Sequence, residues 1–338
     1  MTSHDVARAA GVSQSTVSRV LRGDARVAPD LRERVEQAAA SLAYVPNSLA
    51  RGMVQRRTGA VGVVVSDVTN PFYNHLLQSV HSELSAGGYR MVLIVDPIDA
   101  PSQLADYESL LDRTLDGVII TTAMEESGTP AELVARGLAV VLAVRGITGN
   151  PVDTVVSDNV RGAEDAAEFV LSRGHRHVGV VLGPPTTSTS RERARGYAAA
   201  FARYGLAVPD ALRRYGPYTY EAGFAHASEL LGRVDRPTAL VCGNDVLAIG
   251  AYEAARRLRL DVPGDVSIIG FDDIPMAGWE SFRLTTMHQD IPGIARRAAQ
   301  RLMRRIEGAT AAPSLDRFPA RLVVRDSVAE PSRSAAAG

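Results

Sequence analysis

From Gly11 to Leu21 the chain reads GVSQSTVSRVL, in which Ser13, Gln14, Ser15, Thr16, Ser18 and Arg19 all carry hydrogen-bonding side chains. Ser13 stands where a hydroxyl can cap a helix. Val17, Val20 and Leu21 then fall at i, i+3 and i+4 as one apolar stripe, which leaves Ser15, Ser18, Arg19 and Arg22 on the opposite side. An arginine can donate twice to the edge of a guanine, and a glutamine can pair with an adenine. The small hydroxyls of Ser13, Ser15, Thr16 and Ser18 can come close to phosphates. The chemistry open to this face is the reading of duplex DNA from the major groove.

Such a face needs a scaffold, and the flanking sequence supplies one. Thr2 and Asp5 have capping-box spacing, and Val6, Ala9 and Ala10 recur at helical intervals before Gly11 stops the pattern. Ala7, Gly11 and Val17 are a small contact residue, a turn glycine and a core valine at the spacing of a helix-turn-helix. A third helix follows Pro29, with Leu31, Val35, Ala38 and Leu42 inward, and YVPN breaks it. Ala28 stands at its start without a side-chain oxygen, at a cost of about 1 kcal/mol. Asn47 to Val54 is a short fourth segment, and QRRTG reads as a linker.

From Ala60 the pattern changes to AVGVVVS, YRMVLIV, DGVIITT, LAVVLAV, DTVVS, HVGVVLG, TALVCG and DVSIIGF, separated by helix-length amphipathic stretches. Near-continuous Val and Ile runs of this kind are parallel strands covered on both faces. They are too many for one comfortable sheet, so the expectation is two doubly wound lobes with a cleft between them. Ligand contacts in such folds come from loops at the carboxyl ends of strands, so TNPFY after the first run lets Phe72 and Tyr73 wall the cleft. The tail AEPSRSAAAG after Val328 reads as disordered and has no heptad pattern.

Composition narrows the function. The chain has 338 residues, 46% hydrophobic and 22% charged, with a net charge of -1, which fits a globular chain of two or three units. The charge is uneven: residues 1–57 hold nine arginines against five acidic residues, a local +4 that leaves -5 elsewhere. A basic end on an acidic body directs a polyanion to that end. Every one of the 37 basic residues is arginine. The single cysteine, Cys242, excludes an internal disulfide framework and reads as a buried thiol. No membrane span and no secretory signal is visible, so the expected location is the cytoplasm.

The strings DVARAAGVSQSTVSRVL, RERVEQAAASLAYVPNSLARGM, GAVGVVVSDVTNPFY, VPGDVSIIGFDD and LTTMHQD, in this order over residues 2 to 328, resemble the LacI/GalR family of bacterial transcriptional repressors. The implied fold is α/β: an N-terminal all-α helix-turn-helix headpiece and a two-lobed, doubly wound core like a periplasmic binding protein. The expected domains are 1–45 for DNA binding, 46–57 for hinge helix and linker, 58–328 for the effector-binding and dimerisation core, and 329–338 for the disordered tail. The resemblance implies a sequence-specific regulator, expected to repress, acting as a homodimer on double-stranded operator DNA. A small effector in the cleft, a sugar or sugar derivative, would control it, with a purine-type corepressor as the alternative ligand.

Carried over by position, base reading falls on Gln14, Ser15 and Arg19, and phosphate contacts on Ser13, Thr16, Ser18, Arg22 and Arg26. NSLARGMV matches the family's hinge helix, which assigns Asn47, Ala50, Arg51 and Met53 to the minor groove. Eight residues make no stable helix alone in water, so the hinge is expected to form only when paired on DNA. Met53 replaces the family's usual leucine wedge; it can wedge a base step too, or merely fill a linker. Effector contacts are implied for Thr189, Arg193, Tyr218, Asn244 and Asp272, and for Gln289 at the crossover after LTTMH. Where relatives often read Asp-Arg after the fourth strand, this chain has Val144-Arg145, which removes a hydroxyl acceptor and makes that wall more apolar.

An enzyme on a doubly wound scaffold is the rival, but no G-x-G-x-x-G follows the first strand, and no G-K-[ST] loop or H-E-x-x-H occurs. His175 and His177 in GHRHVG lack carboxylate or thiol neighbours and read as structural. A transport binding protein would share the core yet have no use for Gln14 to Arg22. No catalytic residue, metal or cofactor is expected.

Overall fold

The computed structural model describes residues 1–21, 24, 26–44, 57–96 and 114–332. The chain divides into two compact units, Met1–Gly59 and Ala60–Gly338.

In the first unit three helices are described, α1 (Ser3–Ala10), α2 (Gln14–Leu21) and α3 (Pro29–Ser41). The capping box closes both ways: Asp5 N–H donates to Thr2 Oγ1 at 3.4 Å and Thr2 N–H to Asp5 Oδ2 at 2.9 Å. α1 ends at Gly11 in the left-handed region, φ +63°, where a Cβ would stand 2.9 Å from Arg34 Nη2. The missing side chain admits Arg34, which reaches across from α3 and donates to the Ala10 carbonyl at 2.6 Å. Ser13 caps α2, its hydroxyl accepting from Thr16 N–H at 3.2 Å. Val6, Ala7, Ala10, Val17, Val20, Val27, Val35 and Ala38 form the core, each buried valine contributing roughly 1.5–3 kcal/mol. Ala9, expected inside, is exposed; Ala7 takes that place, and Leu31 and Leu42 are half-buried. Ala28 makes no side-chain cap.

The second unit has two lobes. The first runs β1 (Ala60–Val65), α4 (Pro71–Ala86), β2 (Arg90–Val95), β3 (Gly117–Ile120), α5 (Thr129–Ala135), β4 (Ala139–Ala143) and β5 (Asp153–Ser157). The second runs α6 (Asn159–Ser172), β6 (Val178–Leu182), α7 (Ser188–Arg203), β7 (Arg213–Tyr215), α8 (Tyr220–Leu231), β8 (Ala239–Cys242), α9 (Asp245–Arg257), β9 (Ser267–Ile269) and β10 (Thr286–His288). The chain then returns to the first lobe as α10 (Ile291–Ile306), packed on α4, and β11 (Leu315–Phe318), and crosses again to β12 (Arg321–Val323). Among the described residues the strand orders are β11-β5-β4-β3-β1-β2 and β7-β6-β8-β9, parallel throughout, with β10 and β12 an antiparallel pair.

β1, β3, β5, β6, β8 and β9 are buried along their whole length, as their unbroken apolar runs require. β2 departs from this: it is an edge strand, and Val92, Leu93 and Val95 are exposed. β7, β10, β11 and β12 were not expected, because they are edge or paired strands of three or four residues carrying Arg, Thr and Asp. At the start of the tail, Ala329 N–H donates to Ser267 Oγ at 3.0 Å and its carbonyl accepts from His175 Nε2 at 2.8 Å, so this part is held to the second lobe; the tail's residues 333–338 lie outside the described residues. No described helix is long and apolar enough to cross a membrane.

Candidate functional site

The headpiece face has the expected layout. Gln14, Ser15 and Arg19 are exposed, with Ser13 beside them, while Thr16 and Ser18 are half-buried over Val17 and Val20. The Ser13 hydroxyl lies 2.8 Å from Ser15 Oγ and 2.9 Å from Thr16 Oγ1, so the short side chains form one hydrogen-bonded strip. Gln14 Nε2 donates to Ser3 Oγ at 3.3 Å, a weak tether to α1. Arg26 is differently placed: its guanidinium binds Asp24 at 2.9 and 3.0 Å, and that hydrogen bonding lowers the Asp24 carboxyl to about 2. A phosphate contact by Arg26 would have to displace this carboxylate. Arg22 and the hinge positions Asn47, Ala50, Arg51 and Met53 lie outside the described residues.

In the second unit the loops at the carboxyl ends of the strands converge on a cavity of about 610 Å³ between the lobes. Phe72 and Tyr73 line it from the first lobe, placed by Asn70, whose side chain accepts from Phe72 N–H at 3.1 Å, and by Pro71 at the start of α4. Their rings meet edge to face, centroids 5.5 Å apart, and Tyr73 Oη lies 2.9 Å from Ser66 Oγ. Thr189, Arg193 and Tyr218 line it from the second lobe, with the Tyr218 and Thr189 hydroxyls 3.3 Å apart. Asn244 caps α9 through Leu247 N–H, which fixes it at the rim of the second sheet.

Arg193 is 3% exposed and fully engaged: Nε donates to Asn159 Oδ1 at 3.0 Å, Nη1 to the Gly243 carbonyl, and Nη2 to Asp272 Oδ1 at 3.4 Å, with the guanidinium 3.7 Å over the Phe271 ring. Gln289 Nε2 donates to the same Asp272 oxygen at 2.6 Å, and its Oε1 accepts from Ser157 Oγ at 2.5 Å. Ser157 and Gln289 each stand where the chain crosses between lobes, so Asp272 is bonded to one crossover directly and to the other through Gln289. Burial raises the Asp272 carboxyl while Arg193 opposes the shift; burial and the charge of Asp272 also raise Asp245, which accepts from Ile274 N–H at 2.9 Å. Asp272 itself is held at φ +125°, a strained backbone of the kind found at ligand sites.

All eight expected cleft residues therefore line one cavity, although they come from six separate segments of the chain. Asn70, Pro184 and Tyr215 also line it and were not singled out, because each reads locally as a cap, a turn or an edge residue. Val144 and Arg145 face the cavity as well. The lobes touch across the cleft through Gly146 N–H to Ser188 Oγ, 3.1 Å, and through Arg191 to Glu125, 2.6 Å. His175 is buried with Nδ1 2.8 Å from Thr238 Oγ1, and His177 Nε2 donates to the Asp235 carbonyl at 2.7 Å, so both serve the framework. Among the described residues no group of three His, Cys, Asp or Glu could hold a metal. Cys242 is fully buried, which raises its thiol pKa.

Two family models match the chain: bacterial regulatory proteins, lacI family, over residues 2–47, and a periplasmic binding protein-like domain over residues 167–328. The ribose operon repressor of Escherichia coli (strain K12) is 33% identical over 309 residues, 90% of this chain and 93% of that protein. A solved complex of the transcriptional regulator CelR with cellobiose is 31% identical, with a TM-score of 0.74 over 97% of this chain and 99% of that one. The lac repressor dimer bound to operator and the anti-inducer ONPF is 25% identical, with a TM-score of 0.87 and the same coverage.

Proposed function

The chain belongs to the lacI family of bacterial regulatory proteins, transcription regulators that bind DNA, and from that membership we propose how its own residues divide the work. Two headpieces of a homodimer read a pseudo-palindromic operator through Gln14, Ser15 and Arg19. Ser13, Thr16, Ser18 and Arg22 grip phosphates, with Arg26 joining after releasing Asp24. The hinge positions Asn47, Ala50, Arg51 and Met53 enter the minor groove between them. Exposed apolar side chains on edge strand β2, with Leu258 and Trp279 of the second lobe, support pairing of two cores.

The effector is sugar-like and occupies the cleft. The observation that carries this reading is the convergence of Phe72, Tyr73, Thr189, Arg193, Tyr218, Asn244, Asp272 and Gln289 on one cavity of a size to hold such a molecule. The relatives support the class, since one is a ribose operon repressor and another is solved with cellobiose. A hydroxyl bonded to Asp272 competes with Gln289 and Arg193 for the same oxygen, and Gln289 holds Ser157 at the crossover. Occupancy thus changes the angle between lobes and the spacing of the two hinges, a coupling of about 1–3 kcal/mol. The sense is induction: the effector weakens operator binding.

The test is selection of bound duplexes from a random pool, followed by effector titration against the selected duplex. A palindrome whose affinity falls with effector is expected. No preference among duplexes would refute the headpiece assignment, and affinity that rises with effector would make the ligand a corepressor.

A further inference from the structure

The cleft holds two arginines in opposite states. Every nitrogen of Arg193 is engaged, and its charge faces Asp272. Arg145, from the first lobe, lines the same cavity and is 4% exposed. Among the described residues no hydrogen bond or ion pair reaches its guanidinium, and Nη1 is buried with no partner at all. A cation taken out of water without a counter-charge is strongly disfavoured, so a protein that keeps one has a use for it.

The adjacent residue explains how the charge came to be unmatched. Val144 lies at φ +69°, and Arg145 N–H donates to the Ala143 carbonyl at 2.7 Å, which is the strained, positive-φ form of the γ-turn. A β-branched residue fits that backbone badly, whereas Asp or Asn tolerates it. Both residues line the cavity, so an aspartate at this position would have added a carboxylate to the wall that Arg145 shares; valine adds two methyl groups. Of the other carboxylates on the wall, Asp272 is engaged by Arg193 and Gln289, and Asp67 accepts at Oδ1 from the Thr69 N–H and hydroxyl at 2.7 and 2.6 Å; among the described residues neither forms an ion pair with Arg145.

Resting on the reading of this cavity as the effector site, we propose that the effector is an anionic polyhydroxy compound, a sugar acid or sugar phosphate, whose oxyanion is the partner that Arg145 lacks. A neutral sugar offers Arg145 only hydroxyl acceptors and leaves its charge unbalanced. An oxyanion supplies acceptor and counter-charge together, in the planar geometry a guanidinium suits best. The apolar faces of Phe72 and Tyr218 then hold the carbon skeleton, and the polar cluster at Asn244, Asp272 and Gln289 holds hydroxyls at the other end.

The experiment is calorimetric titration of the full chain at fixed ionic strength with D-glucose, D-gluconate, D-glucuronate, D-glucose 6-phosphate and inorganic phosphate. An anionic compound is expected to bind at least roughly tenfold more tightly than D-glucose. The two sugar acids set against the sugar phosphate tell a carboxylate from a phosphate. Arg145→Met should erase the preference and raise the melting temperature of the unliganded protein, since it removes an unpaired buried charge. Val144→Asp supplies an internal carboxylate on a backbone that suits it, and should shift preference toward the neutral sugar while the protein stays folded. Equal or tighter binding of D-glucose, with Arg145→Met affecting all ligands alike, would overturn the proposal and leave the effector cleft standing. If none of these compounds binds a protein that still melts cooperatively, the proposal falls, and parallel titration with D-ribose and cellobiose then decides the effector reading separately: binding of either neutral sugar keeps it, and silence from both removes it.

Discussion

Tyr218 occupies the space a side chain at Gly183 would need, since a Cβ there would stand 2.0 Å from the ring Cζ. The glycine after β6 therefore sets how close the aromatic lies to the sheet and how it faces the cavity. Gly183→Ala must tilt the ring outward, and the expected result is an effector affinity lower by on the order of tenfold with operator binding retained, measured by calorimetry and by duplex titration. On the headpiece, Arg19→Ala is expected to cost about 1–3 kcal/mol of operator affinity and to relax preference at one base pair of each half-site, whereas Arg26→Ala, whose guanidinium is already held by Asp24, should cost far less. A uniform loss across all duplexes for Arg19→Ala would make it a phosphate contact instead. The sequence showed at this scale that Gln14, Ser15 and Arg19 face outward, because they fall off the apolar stripe of Val17, Val20 and Leu21. It could not disclose that Arg145 lacks a partner, since a missing counter-charge is a property of several loops brought together.

Strands were legible where an apolar run marked them, in the exposed edge strand β2 as in the buried ones. β1, β3, β4, β5, β6, β8 and β9 are covered on both faces, so their Val and Ile runs have no polar interruption to hide them. β7, β10, β11 and β12 are short and polar because an edge or a two-stranded ribbon leaves one face open, and nothing local separates RRY or LDRF from a loop. The Arg34 bond to the end of α1 spans 24 residues, beyond any capping pattern a window can show. One element does violate a local rule visibly: α3 starts at Pro29 behind Ala28, which has no side-chain oxygen to give the free N–H groups of the first turn. Ala28→Ser supplies that acceptor and should stabilise the helix by about 1 kcal/mol. In hydrogen exchange on the full chain, amides across α3 should slow about fivefold, with those of α7 unchanged. Unchanged exchange in α3 would mean that its first turn is already satisfied by water.

At the scale of the whole molecule, the core places two carboxyls, Asp245 and Asp272, in one buried cluster under the cleft, where burial raises both and the charge of Asp272 raises Asp245 further. A carboxyl whose folded-state value lies above its unfolded value binds more protons when folded, so stability falls as pH climbs between the two values. The cluster is thus least stabilising at neutral pH and above, and relaxes as the pH drops toward the ordinary carboxylate range. Below that range the sign reverses through groups such as Glu125 and Asp153, where hydrogen bonds from Thr148 and from Arg305 and Ser314 outweigh burial and hold the carboxyl low. Asp245→Asn removes the titration but keeps the contacts: its carbonyl can accept from Ile274 N–H, and its amide can donate to the Thr286 hydroxyl, which now donates at 2.5 Å. Thermal melts from about pH 8 to about pH 5.5 should show the wild type gaining stability relative to Asp245→Asn. Parallel curves for the two proteins would show that Asp245 carries no such strain. A gain confined to the wild type would show that the floor of the cleft is held charged at a cost, one that a bound ligand hydroxyl or the Arg193 guanidinium can offset.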